Sequence, residues 1–397
     1  MKLLSAICAC FLLLSPAYAD IFPIVINTWP FKDATAKAWE VISAAPRTPS
    51  RKPQDPLYMA NLESFIQKAV NTRDNLSLAI AAVEAGCGVC EVEQCDGSVG
   101  YGGSPDENGE TTLDAMIMDG TTYDVGAVGA IRDIKNAIGV ARHVLQYTTH
   151  TLLGGSQATD FAIQMGFTKE SLSTNNSQQM YANWKNNNCQ PNYWRGVEPN
   201  SSTSCGPYTP ISQSELTAMD GELDNAAGED EGSDSQLRME SNQERVDIKR
   251  LSHDTIAMVV IDPTGSHVVA GTSTNGLSHK VPGRIGDSPI AGAGSFADSE
   301  VGGCGATGDG DIMMRFLPCY QAVENMRQGM SPTAAAEDAM ARIVRKYPVF
   351  QGAMFAINKQ GEHGGVAHGW TFTYALRTPS TGGVQIITVP PVTFPRS

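Results

Sequence analysis

The sequence predicts an α+β fold in which sheet packs on sheet and helices lie outside. Two observations carry that prediction. Apolar, β-rich segments arrive in clusters and often as hairpins. Helical segments arrive in clusters of their own, which argues against strict βαβ alternation.

The chain opens on what reads as a signal peptide over residues 1–19. Lys2 is its positive start, Leu3 to Leu14 its apolar core, and Ala17-Tyr18-Ala19 a small-residue cleavage site before Asp20. The apolar run is too short to span a membrane, and no later stretch reaches ~20 apolar residues. Ile21 to Asn27 then reads as a strand. Ala34 to Ser43 and Asn61 to Ala85 have helical spacing, the second ending at Gly86. Thr112 to Val128 reads as paired strands around Asp119-Gly120, and Arg132 to Tyr147 as a helix with a wide apolar face. From Cys189 to Pro210 the sequence is loop-rich, and an acidic linker follows at about 211–250.

Beyond the linker a strand runs to Ile261, turns at Asp262-Pro263-Thr264-Gly265 and returns through His267 to Thr272. Helices are expected around Ile312 to Arg327 and Pro332 to Lys346, the second capped by Ser331 with Pro332 at its first position. Ala353 to Asn358 and Thr371 to Arg377 read as closing strands.

A formal net charge of -14, much of it between Glu215 and Asp247, argues against nucleic acid and anionic membranes as partners. Three glycosylation sequons, at Asn75, Asn175 and Asn200, suit a secretory route. Of nine cysteines, Cys8 and Cys10 belong to the signal, and the remaining odd number implies a free thiol or an intermolecular bond. Cys90 with Cys95 and Cys189 with Cys205 are expected to pair, since each closes a short polar loop. Cys304 and Cys319 are left open between a bridge and the reduced state. Cys87-Gly88-Val89-Cys90 has no second pair or His cluster to make a zinc site of it.

The most informative stretch is His253-Asp254-Thr255, which joins a polar, acidic segment to the apolar Ile256-Ala257-Met258-Val259-Val260-Ile261. Cutting the bond before Thr255 would give this threonine a free α-amino group beside its own hydroxyl. Such an amine, with a reference pKa of ~7.7–8.0, can take the hydroxyl proton and activate a poor nucleophile. On its own, Thr255 reads more readily as one more β-branched residue of a strand.

Gly303-Cys304-Gly305-Ala306-Thr307-Gly308 matches the spacing of a dinucleotide fingerprint. No apolar strand leads into it, and Glu324, the acid at the right distance, falls inside the next helix, so that site is rejected. Asp309 and Asp311 lack the alternating ligands of a calcium loop. A glycine-rich turn at a helix start is expected instead, suited to an oxyanion.

Several ordered landmarks then give a resemblance over nearly the whole mature chain. They include Asn27-Thr28-Trp29-Pro30-Phe31, Asp96-Gly97-Ser98-Val99-Gly100-Tyr101-Gly102-Gly103, Met118-Asp119-Gly120-Thr121-Thr122 and Cys189-Gln190-Pro191-Asn192-Tyr193-Trp194-Arg195. His253-Asp254-Thr255, Gly283-Arg284-Ile285-Gly286-Asp287-Ser288-Pro289 and Ala306-Thr307-Gly308-Asp309-Gly310-Asp311 follow in order. The chain resembles the glycosylasparaginases (aspartylglucosaminidases) among the N-terminal nucleophile hydrolases.

The resemblance implies a four-layer αββα sandwich and self-cleavage between Asp254 and Thr255. The products would be an α chain of residues 20–254 and a β chain of 255–397, forming one domain and associating as a dimer of αβ heterodimers. It implies hydrolysis of a glycosylated asparagine, without cofactor or metal, in a lysosome, a vacuole or outside the cell. Thr255 would be the nucleophile, Thr274 would tune its amine, and Thr307 and Gly308 would be oxyanion donors. Arg284 would take the substrate's α-carboxylate and Asp287 its ammonium, with Ile285, Gly286, Asp309, Gly310 and Trp29 completing the site. Related threonine asparaginases or isoaspartyl peptidases are the alternative activity; an unprocessed, inactive binding protein is the alternative of another kind.

Overall fold

A computed structural model describes residues 21–43, 56–212, 214 and 255–394. The expected signal peptide, most of the acidic linker and Asp254 lie outside the described residues.

In chain order the elements are β1 (Ile24–Thr28), α1 (Lys32–Ile42), α2 (Pro56–Thr72), α3 (Asn75–Glu93), β2 (Leu113–Asp119), β3 (Val125–Ile131) and α4 (Ala137–Tyr147). Then come β4 (Leu152–Gly154), α5 (Gly155–Gln164), α6 (Asn175–Asn186), β5 (Val197–Glu198) and β6 (Thr209–Pro210). From Thr255 onward they are β7 (Ile256–Ile261), β8 (Val268–Thr274), β9 (Ser295–Asp298), β10 (Gly302–Gly308), α7 (Gly310–Phe316), α8 (Pro318–Arg327) and α9 (Pro332–Val344). The chain closes with β11 (Gly352–Asn358), β12 (His363–His368), β13 (Phe372–Arg377), a 3-10 turn and β14 (Gln385–Val389).

An eight-stranded sheet runs β14-β13-β1-β7-β8-β2-β3-β4 and a four-stranded sheet β12-β11-β10-β9. Period-two alternation sends successive side chains of the large sheet to different layers. Ile256, Met258 and Val260 face the helices α1, α3 and α4, whereas Val259 and Ile261 face the small sheet and pack with Phe355 and Ile357. On the small sheet's far side Met354 and Val366 meet Val323, Ala336 and Met340 of α8 and α9. Helix, sheet, sheet, helix is the expected αββα sandwich.

The glycine-rich segment is a finding against expectation. Gly302–Gly308 is not a turn but the strand β10, paired with β11 along its length and with β9 at its start. A side-chain carbon on Gly303 would come within 2.8 Å of Val259, and one on Gly305 within 2.9 Å of Ala257. The glycines let β10 cross close over β7, the strand that begins just after Thr255. Packing, not turn chemistry, selected them.

Other boundaries moved for local reasons. The single helix expected to end at Gly86 is two helices, broken at Arg73 (φ 55) and restarted by Asp74, whose side chain accepts from Ser77 N at 3.0 Å. Gly86 does not end α3; it lies against Met258 and Ala38, where a side chain would collide. The helix expected from Arg132 starts at Ala137, because Asp133 has φ 57 and Asn136 supplies the cap. Leu317 (φ 50) splits the helix expected over Ile312 to Arg327. Cys90–Cys95 and Cys189–Cys205 are bridged as expected, Cys304–Cys319 is bridged as well, and Cys87 is the buried free thiol among the described residues.

Helix α3 is long and apolar enough to cross a membrane, but 72% of its apolar window is buried inside the protein. It also carries Glu84, paired with Arg142, and Glu91, whose carboxyl accepts from Ile138 N (2.9 Å) and Ser273 Oγ (2.6 Å). Burial pushes the Glu91 pKa up to about 8. α3 is thus a core helix that ties α4 to β8, one residue from Thr274.

Candidate active site

Thr255 precedes β7 at the point where β1, β8 and β10 converge. Strand pairing sets this: Ile256 lies opposite Ser273 of β8, and Asn27 of β1 opposite Met258. The Thr28 hydroxyl donates to Thr255 O at 2.7 Å and accepts from Ala257 N at 2.9 Å, fastening β1 across the start of β7. Thr255 N donates to Thr307 Oγ1 at 3.3 Å, and Ser288 Oγ donates to Thr255 Oγ1 at 3.4 Å. Thr255 is 7% exposed, enough to open on a small pocket.

That pocket is lined by Thr255, Thr274, Gly276, Leu277, Arg284, Gly286, Asp287, Gly308, Asp309, Gly310 and Asp311. The structure thereby brings together most of the residues singled out from the sequence. Thr307 is fully buried behind the pocket and also accepts from Trp29 Nε1 at 3.3 Å. Trp29, with φ 65, packs its ring against Trp370 and edge-on to Phe372. Ile285 turns away from the pocket toward Gly129, while Gly286 N donates to Asp114 at 3.4 Å. Asp309 N donates to Gln351 O at 3.0 Å, and the residue sits at the position just before α7, where Gly310 lies against the Asp287 carboxylate.

Two side chains are disposed differently from the expectation. Thr274 lines the pocket, but its hydroxyl donates to Ser98 O (3.3 Å) and accepts from Gly276 N (3.0 Å). Ser288 is the group that reaches the Thr255 hydroxyl. Arg284 is already held by Asp311, through Nε to Oδ1 at 3.3 Å and Nη2 to Oδ2 at 3.0 Å. Its Nη1 faces Gly276 and Gly286.

Asp287 is 4% exposed, and its Oδ2 has no hydrogen-bond partner among the described residues. Burial pushes its pKa up to about 7, with Arg284 working in the opposite direction. A buried carboxylate oxygen without a donor is a costly feature that a cation bound in the pocket would relieve. Beside Arg284, the pocket therefore offers a planar cationic fork and an unsatisfied carboxylate to one small ligand, next to a threonine hydroxyl.

Sequence reasoning missed Thr28, Ser288 and Asp311 as site residues, although all three sit inside the quoted landmarks. Tyr193 was missed too; its hydroxyl donates to Ser278 O at 3.2 Å, and burial above all raises its pKa. Each acts through folding contacts that no local spacing reveals.

With this geometry in hand, comparison with known proteins gives the class. A family described as asparaginase matches residues 41–381. The chain belongs to that family, whose members are N-terminal nucleophile hydrolases. It is 49% identical over 342 residues (86% of this chain, 83% of the relative) to the N(4)-(beta-N-acetylglucosaminyl)-L-asparaginase of Rattus norvegicus. The protein of the same name from Mus musculus is 49% identical over 345 residues, covering 86% of this chain and 83% of the relative. A "probable isoaspartyl peptidase/L-asparaginase 3" of Arabidopsis thaliana is 45% identical over 374 residues, covering 94% of this chain and 92% of the relative.

Proposed function

We propose that this chain is an autoprocessed amidase hydrolysing the N4-(β-N-acetylglucosaminyl)-L-asparagine bond, releasing L-aspartate and the glycosylamine during glycoprotein breakdown. The observation that carries the reading is one small pocket holding the Thr255 hydroxyl together with Arg284 and the unsatisfied Asp287. An asparagine freed from its peptide bears an α-carboxylate, an α-ammonium and a side-chain amide. Those three groups match that set of side chains.

Maturation comes first. The Thr255 hydroxyl attacks the Asp254 carbonyl, the C–N bond breaks, and the acyl group shifts to oxygen as an ester that water opens. The Asp254 carboxylate helps to move the proton. Thr255 N is then an amine, and the same hydroxyl acts a second time. Arg284 holds the substrate α-carboxylate by charge-assisted bonds and Asp287 the α-ammonium, which aims the amide carbon at Thr255. The amine takes the hydroxyl proton as oxygen attacks; Thr307 and Gly308 stabilise the oxyanion, in part of the wall shared with Asp309 and Gly310. The glycosylamine leaves with a proton, and water hydrolyses the β-aspartyl ester.

Thr274 holds the Gly276 wall, Gly286 and the Ile285 backbone shape the Arg284 turn, and Trp29 steadies Thr307. The three disulfides suit an oxidising compartment and hence a secretory route to a lysosome, a vacuole or the exterior. The α and β chains stay associated, as a dimer of αβ heterodimers.

Two measurements test this. Purified protein should run as two chains, the smaller beginning Thr-Ile-Ala-Met; a single intact chain would leave no amine base and end the enzymatic reading. Turnover of the glycosylated asparagine should exceed that of β-aspartyl dipeptides. The reverse preference would make the chain an isoaspartyl peptidase instead.

A further inference from the structure

Lys280 is among the largest fully buried side chains, 1% exposed, and no mechanistic step uses it. Its ammonium donates to Asn275 O at 2.8 Å and stands 3.5 Å from Thr112 O. Among the described residues it has no ion pair. Burial lowers its pKa to about 8, with the nearby Arg284 charge acting in the same direction and Asp114, Asp106 and Glu110 acting through space in the opposite one. A buried cation held chiefly by carbonyls is expensive compared with an apolar side chain of similar size.

Its position shows what the charge is near. A side-chain carbon on Gly276 would lie 2.9 Å from Lys280 Nζ and 3.4 Å from Arg284 Nη1. Two cations thus flank one glycine of the pocket wall. The pocket also holds Asp287, Asp309 and Asp311, and Arg284 already shares its charge with Asp311. With all three carboxylates ionised and Arg284 the only cation, an incoming carboxylate would meet two surplus negative charges, which Lys280 reduces to one.

We infer that Lys280 is a specificity-determining positioning residue: its buried ammonium gives the Arg284 end of the pocket a second positive charge, selecting ligands that carry a carboxylate there. Lys280 does not touch the ligand. It acts through its field, across Gly276. This rests on the aspartyl-substrate reading above. A purely structural pin would affect ligands with and without a carboxylate alike, which makes the two roles separable.

The test uses the full chain, expressed and matured, with Lys280→Met and Lys280→Gln. Methionine is apolar and glutamine is polar, and neither carries a charge. Two substrates are compared, one with a free α-carboxylate and one with the α-carboxamide in its place. Wild-type turnover of the first checks the parent reading separately. For both variants KM on the carboxylate substrate should rise roughly tenfold, the scale of one nearby charge in a protein interior. KM on the carboxamide should move less than about twofold, kcat should hold, and Lys280→Arg should restore discrimination. An unchanged carboxylate-to-carboxamide ratio in Lys280→Gln would overturn the proposal. So would failure of both neutral variants to mature, which would make Lys280 structural.

Discussion

At one end of the pocket, Thr255 is held by the neutral hydroxyls of Thr28, Ser288 and Thr307, drawn from β1, the β8–β9 connection and β10. At the other end, Arg284, Asp287 and Asp311 gather as ionisable groups, with Lys280 behind them. The first end is fixed by sheet register and by the turn that Thr272 holds at Ser288, and it needs no ligand to be complete. The second is charged, desolvated and short of a partner at Asp287. The difference assigns chemistry to the first and recognition to the second. Variants at the two ends should therefore separate in kcat and KM.

The largest effect belongs to Thr255. Thr255→Ala should abolish chain cleavage and lower amidase turnover by several orders of magnitude, since one hydroxyl performs both steps. Circular dichroism should remain that of the folded protein, because the strand behind it is set by Ile256 to Ile261. Near-normal turnover by the alanine variant would break the comparison at its first end. Thr255→Ser keeps the hydroxyl but not the methyl that restricts its rotamer, so it should cleave at least partly and turn over more slowly.

Next comes Arg284→Lys. Lysine keeps the charge but cannot form two parallel N–H bonds to a carboxylate while holding Asp311. Loss of a charge-assisted contact of about 1.5–3 kcal/mol should raise KM by roughly tenfold or more, with a smaller change in kcat. Maturation occurs before any substrate enters, so gels should still show two chains. A variant that failed to mature would make Arg284 a folding residue.

The two ends were not equally legible in the sequence. Arg284 and Asp287 sit three residues apart in one turn, and a charged pair beside glycines is visible in any linear reading. Thr255 was legible because an acidic segment meets an apolar strand there. Thr28 was not, because its hydroxyl joins the site only when β1 pairs in register with β7, and Ser288 was not, because its turn reaches Thr255 only through tertiary packing. Gly303–Gly308 misled for a related reason. Its glycines suggest a turn in sequence, but they answer to β7 crossing above them, a tertiary contact that overrides local propensity. Lys280 was silent because nothing in the sequence tells a buried lysine from a surface one.

A pH experiment sharpens the recognition end. Burial raises the Asp287 pKa to about 7, so in the ligand-free protein the carboxyl is protonated below that pH and ionised above it. Only the ionised form can pair with an ammonium. Between the unfolded value near 3.8 and about 7, the native state holds the extra proton, so this group's contribution to stability falls as pH rises through that window. Substrate binding should run the other way. KM should fall as pH rises toward 7 and level off above it, and below 7 binding should release a proton. Asp287→Asn should have a higher KM that no longer varies across the window. If wild-type KM were flat from pH 5 to 8, Asp287 would not be the ammonium site.

The smallest effect tests the neutral end. Ser288 Oγ stands 3.4 Å from Thr255 Oγ1, longer than the usual 2.5–3.0 Å for two hydroxyls, so the contact is weak in the resting site. Its backbone carbonyl, which accepts from Thr272 Oγ1 at 2.5 Å, survives substitution and keeps the turn in place. Ser288→Ala should thus mature normally and bind substrate with unchanged KM. If the bond tightens as Thr255 gives up its proton, its loss should lower kcat by about three- to tenfold, the worth of one neutral hydrogen bond. A change confined to KM would move Ser288 to the recognition end. An unchanged kcat would mean that Thr28 and Thr307 suffice to hold the nucleophile.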